Sequence, residues 1–135
     1  MDRVFLDANV LYSAAYIEFS GLTRLWTFDD IVILISPYAI EEATRNLKLD
    51  RVDALPRLKR LIDAASIVDA PHGLENRFNI RIDPKDLPIL MSAIHGKADY
   101  LLTGDARHFG HLYGRQIEGV LVLRPSAYFK HRQNR

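Results

Sequence analysis

Val4-Phe5-Leu6-Asp7-Ala8-Asn9-Val10-Leu11 is the stretch whose reading decides the fold of this chain. Three apolar residues without a polar break read as a strand covered on both faces, as strands of a parallel sheet are. An acid ends that run, and from Val10 onward the apolar spacing becomes that of a helix. Strand, acid, helix is therefore the local order. A carboxylate left unpaired at an apolar strand exit would cost several kcal/mol, so Asp7 needs a partner or a task.

Working outward, four more apolar, β-branched-rich runs follow: Ile31 to Ile35, Ser66 to Val68, Tyr100 to Leu102 and Val120 to Leu123. Helix-period segments separate them, and strands alternating with helices predict an α/β fold with a central parallel sheet of about five strands. Val10 to Phe28 reads as two helices broken at Ser20-Gly21, with Leu22, Leu25, Trp26 and Phe28 facing the core. Ser36 as N-cap and Pro37 as first helical residue open the next helix, which carries Ile40, Ala43 and Leu47 on one face. Leu55, Leu58, Ile62 and Ala65 mark a further helix, and Ala70 to Ile82 shows no period and reads as a long loop. Asp86-Leu87-Pro88 then begins the helix of Ile89, Leu90, Ala93 and Ile94. Residues 1–130 are expected to form one domain, and residues 131–135 a frayed basic tail.

Composition narrows the function. The chain has 135 residues, 48% of them apolar and 26% charged, with 18 Lys and Arg against 17 Asp and Glu. That length buries roughly two-thirds of its unfolded surface, enough for one core. Without cysteine, thiolate metal sites, disulfides and cysteine nucleophiles are excluded, which fits a reducing, cytoplasmic setting. The longest apolar run is far short of a membrane span. The seven glycines make neither a P-loop nor G-x-G-x-x-G, and the five histidines make no H-E-x-x-H, although His108 and His111 would share a helix face.

In an open α/β sheet the functional crevice lies at the carboxyl ends of the strands, and acids recur there. Asp7 follows the first strand, Asp105 follows the fourth by way of Thr103-Gly104, Asp86 starts the helix after the long loop, and Glu42 lies in the helix after the second strand. The helical wheel puts Glu42 nearer the apolar stripe than Glu41, although a one-residue slip of the helix start would exchange them. Asp99 begins the fourth strand about 13 Å from Asp105 and is left out. Two carboxylates ~4 Å apart repel by about 4 kcal/mol at an effective dielectric near 20, so four in one pocket recruit a cation. All-oxygen donors suit Mg²⁺ or Mn²⁺, and hydrolysis of a phosphodiester is the chemistry that follows. Taken singly, Asp86 and Asp105 read as helix caps and Glu42 as a solvated helix residue.

With those residues in place the chain resembles the PIN-domain ribonucleases, most of all the small single-domain toxins of toxin-antitoxin pairs, which are VapC-like. The resemblance rests on Phe5-Leu6-Asp7-Ala8-Asn9-Val10-Leu11, on Ser36-Pro37-Tyr38-Ala39-Ile40-Glu41-Glu42, on Asp86-Leu87-Pro88-Ile89-Leu90 and on Ala98-Asp99-Tyr100-Leu101-Leu102-Thr103-Gly104-Asp105; beyond Phe109 it is loose. It implies a Rossmann-like three-layer α/β/α fold. It also implies that Asp7, Glu42, Asp86 and Asp105 hold Mg²⁺ or Mn²⁺ and cleave single-stranded RNA, with Asn9 and Thr103 as supporting polar groups. A cognate antitoxin and a homodimer are further implications.

Setting those four acids aside leaves 13 acids against 18 bases, a balance suited to RNA. Arg107 directly after Asp105 leads the candidate phosphate contacts, followed by Arg45, Arg77 and Arg81. Two rivals stand beside the nuclease. One is a PIN-like module that docks RNA or protein without cleaving. The other is a phosphoacceptor or phosphatase domain with Asp7 as nucleophile, disfavoured because Asn9 stands where a second Asp is needed.

Overall fold

Val4, Phe5 and Leu6 are fully buried in the computed structural model, which describes residues 1–69 and 80–135. In chain order the strands are β1 (Asp2–Leu6), β2 (Ile31–Ile35), β3 (Ser66–Ile67), β4 (Tyr100–Leu102), β5 (Gln116–Ile117) and β6 (Val120–Leu123). They form one sheet in the order β3-β2-β1-β4-β6-β5, parallel except for the β5–β6 pair. The helices are α1 (Ala8–Tyr16), α2 (Pro37–Asp50), α3 (Leu55–Asp63), α4 (Leu87–His95), α5 (Ala106–Phe109) and α6 (Pro125–Gln133).

Strand periodicity sorts the core into two layers. Val4, Leu6, Ile33, Ile35, Tyr100 and Leu102 pack on one face with Leu11 of α1, Leu47 of α2, Leu58 of α3 and Tyr128 of α6. Phe5, Leu34, Leu101 and Val122 pack on the other with Ile89 and Leu90 of α4 and Phe109 of α5. Both faces are thus covered, which is why the strands carry unbroken apolar runs. The result is the expected three-layer α/β/α arrangement. Because β1 lies between β2 and β4, the connections leaving β1 and β4 diverge and open a crevice at their carboxyl ends.

Three local expectations are corrected. The segment after Ser20 is a 3₁₀ helix, Gly21–Thr27, rather than an α-helix. The Thr23 and Thr27 hydroxyls donate to the carbonyls three residues back, at 2.6 and 2.7 Å, and so occupy acceptors in the first and last turns. The sheet has six strands, because Gln116–Ile117 folds back on Val120 and Leu121. Its two-residue turn holds Glu118 at φ 51° and Gly119 at φ 84°, the left-handed pair that a type I′ hairpin requires. A two-residue strand leaves no readable alternation.

The third correction concerns the carboxyl-terminal residues, which are docked rather than frayed. Helix α6 runs to Gln133, and Arg132 reaches Asp30 at 2.8 Å and Asp2 at 3.4 Å. Arg135 grips both oxygens of Asp2, at 2.7 and 2.9 Å, while the Tyr128 hydroxyl donates to the same carboxylate at 2.6 Å. Burial pushes the Asp2 carboxyl up, but the hydrogen bonds from Arg135 and Tyr128 outweigh it and hold the carboxyl below its usual range. That contribution is present at neutral pH and fades as pH falls through the lowered value. The basic residues of the tail thus answer an acid at the start of β1. Removing residues 131–135 strips a mostly buried Asp2 of both guanidinium partners and should lower stability by about 2 kcal/mol, discounted for the solvent exposure of Arg135. Urea unfolding of the truncated chain measures it, and an unchanged midpoint would restore the frayed tail.

Candidate active site

Asp7 leaves the end of β1 and caps α1, its Oδ1 accepting the Ala8 N–H at 2.7 Å. Its Oδ2 accepts the Thr103 hydroxyl at 2.8 Å and the Asn9 side-chain amide at 3.0 Å. Thr103 is completely buried after β4, and its hydroxyl also accepts the Asp105 N–H at 3.1 Å. Asn9 Oδ1 takes the Gly104 N–H at 2.7 Å. A side chain at Gly104 would press on that oxygen, since a Cβ there would lie 3.2 Å from it. These bonds fasten the exit of β1 to the exit of β4 and fix the direction of the Asp7 carboxylate.

Around this knot lies a cleft of about 410 Å³, lined by Asp7, Asn9, Tyr38, Glu42, Asp86 and Asp105 together with Tyr12, Ser13, Asn46 and Ile89. All four acids expected from the sequence line it. Ser36 caps α2 by accepting the Ala39 N–H at 3.1 Å, with Pro37 first in the helix. That phase turns Glu42 to the cleft, while Glu41 is exposed and lies 3.8 Å from Arg45. Asp105 does cap a helix, accepting the His108 N–H at 3.2 Å. Asp86 occupies the N-cap position of α4 without a capping bond, so capping does not account for it.

Two residues that the sequence reading did not assign to the site, Asp83 and His108, stand beside these acids. His108 Nδ1 lies 2.9 Å from Asp86 Oδ2 and 3.1 Å from Asp105 Oδ2. Asp83, His108 and Asp86 each offer a ligand atom, and the three atoms lie within 4.8 Å of one another. Their signal was spacing: Asp83 is one turn before Asp86, and His108 one turn after Asp105. Tyr38, exposed at the lip, was passed over as part of a motif.

The expected basic contacts sit outside the lining, which holds no Lys or Arg among the described residues. Arg107 is exposed in the first turn of α5, Arg45 is exposed on α2, and the exposed Arg81 offers its carbonyl to His111 Nε2. Arg77 falls outside the described residues.

Burial, with the charges of Glu42 and Asp86 adding to it, pushes the Asp7 carboxyl up to about 6 against the pull of the Thr103 and Ala8 hydrogen bonds. Asp86 is raised by burial too, with His108 opposing and Asp83 and Asp105 adding to the rise. Its Oδ2 is fully buried and, among the described residues, has no hydrogen-bond partner, His108 Nδ1 approaching it as an ion-pair contact. An orphaned carboxylate oxygen within a crowd of acids is the donor set that a hard divalent cation completes.

The class of protein is now defined: a parallel α/β/α domain with an acidic cleft at the switch point of its sheet. The PIN domain family model matches residues 3–107, and the chain belongs to that family. Its fold is similar to that in the crystal structure of VapBC2 from Rickettsia felis bound to a DNA fragment from their promoter, with 17% sequence identity and a TM-score of 0.63 over 90% of this chain and 98% of that one. No curated protein matches it in sequence.

The raised Asp7 value fixes a pH dependence. Between its unfolded value of 3.8 and about 6 the folded chain holds a proton that the unfolded chain has lost, so stability falls as pH rises through that window. The fall should reach about 3 kcal/mol at most and level off near neutrality. Urea midpoints in EDTA from pH 4 to 7.5 should decline for the native chain and flatten for Asp7→Asn; equal slopes would show that Asp7 titrates normally.

Proposed function

We propose that the protein is a metal-dependent endoribonuclease acting on single-stranded RNA, and the toxin half of a toxin-antitoxin pair. The observation that carries this reading is the convergence of Asp7, Glu42, Asp86 and Asp105 on one cleft, with a buried Asp86 oxygen that has no hydrogen bond among the described residues. Those four carboxylates would hold Mg²⁺ or Mn²⁺. A divalent cation bound there supplies charge neutralisation, a polarised phosphate and a water of lowered pKa. The rest falls to the chain itself. Thr103, Asn9 and the Ala8 N–H hold Asp7 in one rotamer, so its orientation costs nothing at the moment of reaction. Glu42 faces the cleft from a capped helix, while Tyr38 offers an exposed ring at the lip.

Membership of the PIN family supports the nuclease class, and the likeness in fold to VapBC2 supports a cognate antitoxin as partner. A homodimer and a cytoplasmic setting complete the proposal; among the described residues no helix is long and apolar enough to cross a membrane. RNA cleavage should require Mg²⁺ or Mn²⁺ and stop in EDTA. Glu42→Gln should lose at least ~100-fold in rate, as removal of a metal ligand commonly does, while Glu41→Gln should be nearly silent. RNA binding without cleavage under any divalent ion would instead favour the docking module.

Arg107, Arg45, Arg77 and Arg81 are proposed to meet RNA phosphates, with Arg107 foremost because it is exposed two residues beyond Asp105. A phosphate contact does not read bases. In an Asp7→Asn background that prevents cleavage, Arg107→Ala should weaken two unrelated RNAs equally and reduce the salt slope by roughly 0.7. A loss confined to one RNA would make Arg107 a base reader, and an unchanged slope would remove it from the interface.

A further inference from the structure

The acids of the cleft do not all converge on one point. Among the described residues, the metal-ligating atoms that lie within 4.8 Å of one another belong to Asp83, Asp86 and His108. We propose that these three form a mixed nitrogen-and-oxygen cation position, with His108 Nδ1 as ligand and Asp86 shared with the neighbouring acids, and that this position selects first-row transition metals over Mg²⁺. The proposal rests on the reading of the cleft as a metal site and specifies which ion it takes.

Three observations carry it. First, His108 Nδ1 stands 2.9 Å from Asp86 Oδ2 and 3.1 Å from Asp105 Oδ2, yet among the described residues Asp86 Oδ2 has no hydrogen-bond partner. Neighbouring ligands in an octahedral shell with bonds near 2.1 Å lie about 3.0 Å apart and point at the ion rather than at each other.

Second, each ligand is already held. The Asp105 cap on the His108 N–H fixes the start of α5, and the other Asp105 oxygen lies 3.1 Å from the imidazole Nδ1. Asp83 Oδ1 accepts the Lys85 N–H at 3.0 Å, and its carbonyl accepts the Asp86 and Leu87 N–H groups at 2.8 and 3.1 Å, so a single turn sets Asp83 and Asp86 relative to each other. Third, three carboxylates surround one imidazole. Even a protonated His108 would leave Asp83, Asp86 and Asp105 with excess negative charge, which a divalent ion answers more fully. A nitrogen donor then decides between ions, because imidazole suits transition metals and Mg²⁺ keeps to oxygen.

The test uses the full chain loaded with one equivalent of Mn²⁺ and read by pulsed electron paramagnetic resonance. A ¹⁴N coupling should appear in the native protein, vanish in His108→Gln and persist in Glu41→Gln. It should change to a ¹⁵N coupling when histidine is ¹⁵N-labelled, which keeps the assignment open to test if His108→Gln fails to fold. By calorimetry the native chain should favour Mn²⁺ over Mg²⁺ by at least ~10-fold, and His108→Gln should erase most of that preference. Bound Mn²⁺ without ¹⁴N coupling overturns the proposal and leaves the all-carboxylate site standing, while coupling that survives His108→Gln overturns it by assigning the nitrogen to another residue. No Mn²⁺ binding at all overturns both.

Discussion

The hydrogen bond from the Thr103 hydroxyl to Asp7 joins residues 96 positions apart and sits under everything else in the cleft. Thr103 is wholly enclosed, so its hydroxyl has no water to fall back on, and Asp7 is nearly so. Each satisfies the other. Asn9 completes the closure by holding Asp7 with one end of its amide and the Gly104 backbone with the other. The divergence of β1 and β4 creates a crevice, and this small polar cluster keeps it at a fixed width. Because a half-satisfied buried network is worse than an apolar one, none of its members can be exchanged alone without orphaning another.

Against that closure works the crowding of charge. Asp7 and Asp86 both have carboxyls raised by burial first and then by neighbouring acids, Glu42 and Asp86 in the case of Asp7 and Asp83 and Asp105 in the case of Asp86, a cost borne by the folded protein whenever no cation is present. Natural proteins accept such violations of local stability rules chiefly where they act on something. The opposite end of the sheet shows the contrast. There Asp2 is met by Tyr128, Arg132 and Arg135, and its charge strengthens the fold. The same residue type is thus stabilising at one end of β1 and strained at the other, and the difference lies wholly in the partners.

The sequence made the layers legible because both-faced burial writes unbroken apolar runs, and β1, β2, β4 and β6 each carry one. It made Asp7, Glu42, Asp86 and Asp105 legible because strand exits and a Ser-Pro helix start are local signals. What it hid was long-range. Nothing in Lys130, Arg132 or Arg135 announces that their helix docks on Asp2, since a basic terminal run looks the same frayed or folded. Asp83 and His108 were hidden differently: each sits one turn from a recognised acid, but their meeting depends on the approach of the turn before α4 to helix α5, far apart in sequence. Strand β5 was invisible because only a turn at positive φ, with Glu in the first position, creates it.

That short hairpin and its counterpart at the far edge shape how the molecule meets others. Both outer strands of the sheet, β3 and β5, are only two residues long, so each margin offers few free backbone donors and acceptors to an incoming strand. Polymerisation by sheet extension is thereby discouraged. Whatever chain associates with this domain must be read through side chains on helices and loops, a mode in which recognition can change residue by residue while the sheet beneath stays as it is.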